Sequence, residues 1–125
     1  MAGQSANTGS VALFIFNSIS PMPSNVSGLL SEIVHQNVHL MELYTGDTIS
    51  TDPLSDRYLD PLRNLSTAQT LRLLAVQDGG VQSVTIGELS TNNTNLRDMA
   101  KGFEEMGMLG LKSLSKGVKF YKARG

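Results

Sequence analysis

The stretch from Asn92 to Lys122 constrains the fold most, because its pattern changes at one glycine. Before Gly107, apolar residues recur at the intervals of an amphipathic helix with one buried face. These residues are Leu96, Met99, Ala100, Phe103 and Met106. After Gly107, two short apolar segments, 108–114 and 118–121, are joined by Ser115-Lys116-Gly117, and the stretch to Lys122 holds four lysines and no acid. The pattern predicts a helix that ends at Gly107 and is followed by a basic β-hairpin.

Length and composition limit the classes of protein. A chain of 125 residues fits one compact domain. The absence of cysteine excludes disulfides, a thiol nucleophile and cysteine-ligated metal. Apolar runs are too short for a transmembrane span, and the N-terminus lacks the basic region of a signal peptide. We therefore expect a cytoplasmic protein that does not enter a membrane.

Charge is distributed unevenly along the chain. Residues 1–60 hold one basic and six acidic residues, whereas residues 61–125 hold nine basic and five acidic residues. After Glu105 there are five basic residues and no acid. This asymmetry favours an anionic partner at the C-terminal end. The alternative is a solvated basic tail that keeps the domain soluble.

The rest of the chain divides into three regions. Residues 1–10 are small and polar and are expected to be flexible. Residues 11–60 form an N-terminal helical region, in which periodicity does not decide whether 11–19 is a strand or a helix. The longest amphipathic helix is predicted from Val26 to Tyr44, before Gly46. Residues 61–125 form the last region, with a helix from Thr67 to Val76 and an element at 81–89 that is either a strand or a short helix.

From Leu65 onward, the predicted order is helix, turn, short element, helix and basic hairpin. The segments are L-S-T-A-Q-T-L-R-L-L-A-V at 65–76, T-I-G-E-L-S at 85–90, N-L-R-D-M-A-K-G-F-E-E-M-G-M-L-G-L at 95–111 and G-V-K-F-Y-K at 117–122. In this order they resemble a winged helix-turn-helix domain of the kind found in transcriptional regulators, over about half of the chain. The fourteen steps from Leu89 to Phe103 are several fewer than is usual in that family.

The resemblance implies a fold and a set of site residues. The fold would be α+β and mainly helical, a winged helix-turn-helix with an additional N-terminal helix and a C-terminal β-hairpin wing. A recognition helix would contact DNA through Asn93, Asn95, Arg97 and Lys101. The wing would contact phosphates through Lys112, Ser115, Lys116 and Lys119. The long N-terminal helix would form a homodimer through Leu30, Ile33, Val34 and Met41. An alternative for the Asn cluster is an N-cap and turn.

Other chemistries find little support in the sequence. His35 and His39 share one helix face, but they do not form the H-E-x-x-H pattern of a zinc site. Nucleotide-binding glycine motifs and a G-x-S-x-G nucleophile motif are absent. We therefore expect no enzyme activity, no metal, no cofactor and no small-molecule ligand. The first hypothesis is a small sequence-specific or architectural protein that binds double-stranded DNA, such as a transcriptional regulator or a plasmid or mobile-element factor. The second is a protein-interaction or assembly subunit that binds no nucleic acid.

Overall fold

A computed structural model describes the backbone of residues 7–20, 22–76, 83–86 and 89–124, and the side chains of residues 7–20, 22–76, 86 and 96–114. The fold is mainly helical, as predicted. Within these ranges the elements follow the order α1 (Thr8–Ser18), β1 (Ile19–Ser20), α2 (Ser24–Ser27), α3 (Leu30–Thr45), α4 (Asp56–Ala75), β2 (Ser83–Ile86), β3 (Leu89–Asn92) and α5 (Asn93–Arg124).

The ambiguous segment 11–19 is helical up to Ser18, the last residue of α1, and Ile19 begins β1. Asn7 caps α1, because its Oδ1 accepts a hydrogen bond from the Ser10 amide at 2.7 Å while Ser10 Oγ accepts one from the Asn7 amide at 2.9 Å. This reciprocal capping satisfies two amides that a helix start leaves unpaired. Residues 1–6 of the predicted flexible terminus lie outside the described residues, and α1 already begins at Thr8.

The predicted helix from Val26 to Tyr44 is divided into α2 and α3. Between them, the Leu29 amide donates to the Val26 carbonyl three residues back, which tightens the chain into a turn. The predicted end is confirmed, since Gly46 adopts φ 79° and its amide donates to the Glu42 carbonyl. Glycine reaches this left-handed conformation without the steric cost of a side chain.

Helix α4 lies at the centre of the fold and packs against α1, α2, α3 and α5. It begins at Asp56, eleven residues before the predicted Thr67, so the predicted boundary between residues 60 and 61 falls inside one helix. Pro61 is accommodated within it and is buried. The core formed around α4 includes Val11, Ile15, Ile19, Val34, Met41, Leu62, Leu71, Leu74, Leu96 and Leu111.

A small antiparallel sheet has the strand order β1-β2-β3, in which β1 follows α1 and the other two strands lie between α4 and α5 in sequence. Ile19 pairs with Ile86 across β1 and β2, and Ile86 pairs with Leu89 across β2 and β3. The ambiguous element within 81–89 is therefore extended, not helical, over its described part. The hairpin that β2 and β3 form precedes α5.

The predicted end of the last helix at Gly107 and the predicted C-terminal β-hairpin wing over 108–121 are both wrong. Helix α5 continues through Gly107 to Arg124. A Cβ atom on Gly107 would lie 2.7 Å from Leu65 Cγ, and one on Gly110 would lie 2.9 Å from Pro61 Cγ. These glycines allow α5 to approach α4 closely, and this packing offsets the cost of about 1 kcal/mol that glycine carries in a helix.

Candidate interaction surface on α5

One face of α5 is packed against the rest of the fold. Its buried and half-buried residues alternate in steps of four and three, the repeat of a helix seam. They are Leu96, Ala100, Phe103, Gly107, Gly110 and Leu114, with Leu111 buried beside them. Met106, which the sequence assigned to this face, is half-exposed. Continuing the four-three spacing past Gly107 in the sequence would have assigned this face correctly.

Helix α5 is longer than the helix it packs on. The two run antiparallel, because Gly107 lies opposite Leu65 and Gly110 lies opposite Pro61. Asp56, the first residue of α4, is five residues before Pro61, so it lies opposite about residue 115 of α5. The remaining part, to Arg124, extends past the start of α4 by roughly nine residues, or about 14 Å at 1.5 Å per residue.

Four lysines that the sequence assigned to two separate elements belong to one helix. Lys101 and Lys112 are exposed on the face of α5 opposite the seam. Positions 116 and 119 follow Lys112 at intervals of four and seven, which places them on the same helix face. The side chains of Ser115, Lys116 and Lys119 lie outside the described residues. The predicted wing lysines are therefore held on a helix rather than on a hairpin.

The middle of this face is mixed in character. Lys101 and Lys112 flank a shallow groove of about 410 Å³, whose other lining residues are Glu104, Glu105, Met108 and Leu109. Leu109 is 64% exposed and Met106, three residues before it, is 50% exposed. Leu109 lies outside the apolar stripe that the sequence pattern predicts, and the Glu104-Glu105 pair places acid between the two lysines.

Two of the predicted DNA contacts, Arg97 and Lys101, lie near each other in the N-terminal part of α5. Arg97 and Lys101 line a second groove, of about 530 Å³, together with Arg72, Val76, Asp98 and Glu104. Arg72 Nη2 lies 2.5 Å from Glu104 Oε1, whereas neither Arg97 nor Lys101 has an ion pair within the described residues. Asn93 and Asn95 belong to the first turn of α5, and their side chains lie outside the described residues.

Negative charge predominates in most of the chain, and positive charge is concentrated near its C-terminal end. Residues 1–111 contain five basic and eleven acidic residues, a net charge of −6. Residues 112–124 contain five basic residues and no acid, a net charge of +5. The positive segment coincides with the last part of α5, which includes the extension beyond α4.

The four predicted dimerisation residues are not available to a second chain. Leu30, Ile33, Val34 and Met41 are at most 3% exposed and pack in the core of the single chain. The amphipathic pattern identified the buried face of α3 correctly, but that face is covered by α1, α4 and α5. A dimer formed through these side chains would require the core to open.

The titratable groups of α3 and the following loop have local partners. His35 Nδ1 lies 2.9 Å from the Ser31 carbonyl oxygen, and His39 Nδ1 lies 3.5 Å from Glu42 Oε1. No group of three metal-ligating side chains occurs among the described residues. Burial raises the pKa of Tyr58 above 10.0, and the charge of Asp47, which accepts the Tyr58 hydroxyl hydrogen bond at 3.4 Å, raises it further.

None of the helices in the described part of the chain is both long and apolar enough to cross a membrane. No protein-family model, no curated protein and no solved structure matches the chain. The winged helix-turn-helix resemblance therefore stays a prediction from sequence patterns, and the functional proposal depends on the geometry and charge of α5.

Proposed function

We propose that the chain binds double-stranded nucleic acid through the basic C-terminal part of α5. The observation that carries this proposal is that positions 112, 116 and 119 belong to one uninterrupted helix, at intervals of four and three residues that put them on one helix face. Residues 112–124 contain no acid that would neutralise them. The hypothesis of DNA binding thus depends on a basic helix and no longer on a β-hairpin wing.

The spacing of these positions suits a phosphate backbone. Along a helix, intervals of four and seven residues correspond to about 6 Å and about 10 Å. A duplex presents one negative charge per roughly 1.7 Å of its axis, so a straight basic helix meets several phosphates along its length. Such contacts depend on charge and salt rather than on base sequence. Arg97 and Lys101, at the other end of α5, are available as secondary contacts.

The test is fluorescence anisotropy of a labelled duplex of mixed sequence, titrated with the protein at several KCl concentrations. Each phosphate contact contributes about 0.9 to the slope of log K against log salt. The Lys112→Gln/Lys116→Gln/Lys119→Gln variant is therefore expected to reduce the slope by about 2 to 3. Binding by the parent chain that does not weaken with salt would overturn the proposal, and so would an unchanged slope in the triple variant.

Two controls separate contact from helix stability. Three substitutions in one helix also change the stability of the helix itself, so the helicity of the triple variant and of the parent chain is compared by circular dichroism. Arg72→Gln removes one positive charge beside Glu104, twelve residues or about 18 Å along α5 from position 116. That separation exceeds the screening length of about 8 Å at physiological salt, so we expect the part of the salt slope that comes from Lys112, Lys116 and Lys119 to be unchanged.

A second candidate function, a protein-assembly subunit, is supported by a different observation. Leu109 and Met106 expose apolar surface on α5, and charges of both signs surround the groove beside them. Apolar residues with a polar rim are typical of protein interfaces, and methionine adapts to varied partners.

The two functions predict opposite behaviour for one variant. Met106→Gln/Leu109→Gln leaves every basic residue in place. If α5 binds nucleic acid, the variant binds the duplex like the parent chain. If α5 docks on a protein, a tagged parent chain retains a partner that the variant loses, and neither chain binds the duplex.

A further inference from the structure

The outer face of α3 carries a second apolar stripe. Its core-facing side is filled by seven buried residues. On the opposite side, Leu29 is 42% exposed, Leu40 is 44% exposed and Leu43 is 85% exposed. With Gln36 between them, these residues form what we call the outer stripe. Single exposed leucines are ordinary, but three on one face of one helix form an unusual apolar line that is interrupted by one glutamine.

The spacing of the outer stripe is that of a helix seam. Residues 29, 36, 40 and 43 are separated by seven, four and three, intervals that keep side chains on one face of a helix. Ile33 is buried at the edge of this line. A groove beside it is lined by Leu29, Gln36, Gln69 and Leu73, so α4 contributes to the same surface.

The stripe is complementary to itself about Gln36. Leu29 and Leu43 are each seven residues from this position. When two copies of α3 cross antiparallel at Gln36, Leu29 of each chain lies against the partner subunit's Leu43. The two glutamines meet on the two-fold axis, and because Gln36 Oε1 already accepts a hydrogen bond from Gln69 Nε2 at 3.3 Å, the Gln36 amide NH₂ is the group that can donate to the partner subunit.

The polar groups beside the stripe select the antiparallel arrangement. Glu32 precedes Gln36 by four residues and His39 follows it by three, and both are exposed. An antiparallel pair therefore brings Glu32 close to the partner subunit's His39 at two symmetric places, where an imidazole N–H can donate to the carboxylate. A parallel pair in register would separate Glu32 from the partner subunit's His39 by seven residues, or about 10 Å along the helix, and would not form this contact. His39 also has Glu42 nearby at 3.5 Å, and Glu42 Oε2 accepts the Ile49 amide at 2.8 Å.

From this self-complementarity we propose that the outer stripe of α3 is a homodimer interface, formed by two antiparallel α3 helices around a two-fold axis at Gln36. The helix is about 24 Å long, so the contact falls at the small end of specific interfaces, below about 1,200 Å² in total. A dimer of this size is expected to dissociate in the micromolar range. The inference does not depend on the binding of nucleic acid.

Sedimentation velocity of the full chain from about 1 to 200 μM tests the interface. We expect the mass to rise with concentration from 13.5 kDa towards twice that value. Leu43→Lys is expected to keep the chain monomeric throughout, because it places a charge in the contact at a position that is already exposed in the monomer. Leu13→Lys, at an exposed position on α1, is the matched control and should dimerise like the parent chain. A monomer at every concentration, or a dimer that survives Leu43→Lys, would overturn the proposal.

Cross-linking tests the orientation. The chain has no cysteine, so Leu29→Cys and Leu43→Cys each introduce a single thiol. When the two variants are mixed and oxidised, the antiparallel arrangement predicts a mixed disulfide between the two chains in preference to either homodisulfide. Preferential formation of homodisulfides would contradict the antiparallel arrangement.

Discussion

Substitution of Gly107 by alanine adds one methyl group at the closest approach between α4 and α5. The new Cβ would lie 2.7 Å from Leu65 Cγ, 2.8 Å from Leu65 Cδ2 and 3.2 Å from the Leu65 backbone nitrogen. Carbon atoms in contact are ordinarily about 3.5–4.0 Å apart, so the gap is short by roughly 0.8 Å or more. Leu65 is buried, and the close backbone atom means that α4 itself must shift.

Two opposing effects determine the magnitude. Alanine is favoured over glycine inside a helix by up to about 1 kcal/mol. Overpacking of a filled contact typically costs about 1–3 kcal/mol. We expect Gly107→Ala to lower the free energy of unfolding by about 0–2 kcal/mol.

Gly102 offers a matched control on the same helix. A Cβ there meets nothing within 4 Å, so Gly102→Ala keeps the helix-propensity gain without the clash and should raise the free energy of unfolding by about 0.5–1 kcal/mol. The difference between the two variants isolates the packing cost, expected to be about 1–3 kcal/mol.

Urea denaturation followed by circular dichroism at 222 nm measures the difference. With a slope of about 2 kcal/mol per molar urea, the midpoints of the two variants should differ by roughly 0.5–1.5 M at equal slopes. Equal stabilisation by Gly107→Ala and Gly102→Ala would refute the close approach. It would also remove the physical reason for α5 to continue through Gly107.

Three further predictions concern single side chains. Because the pKa of Tyr58 is raised, the folded state favours the neutral form of its hydroxyl. This contribution to stability is complete below pH 10 and is lost as the pH rises above it. Between about pH 9 and pH 11, urea denaturation should therefore show a smaller loss of stability for Tyr58→Phe than for the parent chain, and an equal loss in both would contradict this. Ser66 Oγ is buried and has no hydrogen-bond partner in the described part of the chain, so Ser66→Ala should raise the free energy of unfolding by about 1 kcal/mol; a loss of stability in the same assay would mean that the hydroxyl is satisfied. The Arg72–Glu104 ion pair is about half exposed, so Arg72→Ala should cost less than about 1 kcal/mol, and a larger thermal or urea shift would show that the groove is better shielded from water than its exposure indicates.

Local signals in the sequence predicted the parts of the fold that local physics decides. The apolar spacing in 26–44 identified the buried face of α3, and Gly46 marked its end, because a glycine after an amphipathic run supplies the left-handed residue of a helix terminus. The absence of acidic residues after Glu105 is also evident from the sequence, and the functional proposal depends on it. The start of α1 is also decided locally, by the capping box of Asn7 and Ser10, which is a signal that apolar periodicity does not contain.

What the sequence by itself determined is the amphipathic character of the helices and the separation of charge between residues 1–111 and 112–124. Only the tertiary structure decided the meaning of Gly107. A glycine after an apolar stripe is equally suited to ending a helix and to letting a second helix approach, and the difference lies in Leu65, forty-two residues away in the chain. Packing against α4 stabilises α5 at Gly107 and Gly110 by more than these glycines destabilise it, so the helix continues to Lys112, the first of the basic residues, instead of ending at Gly107.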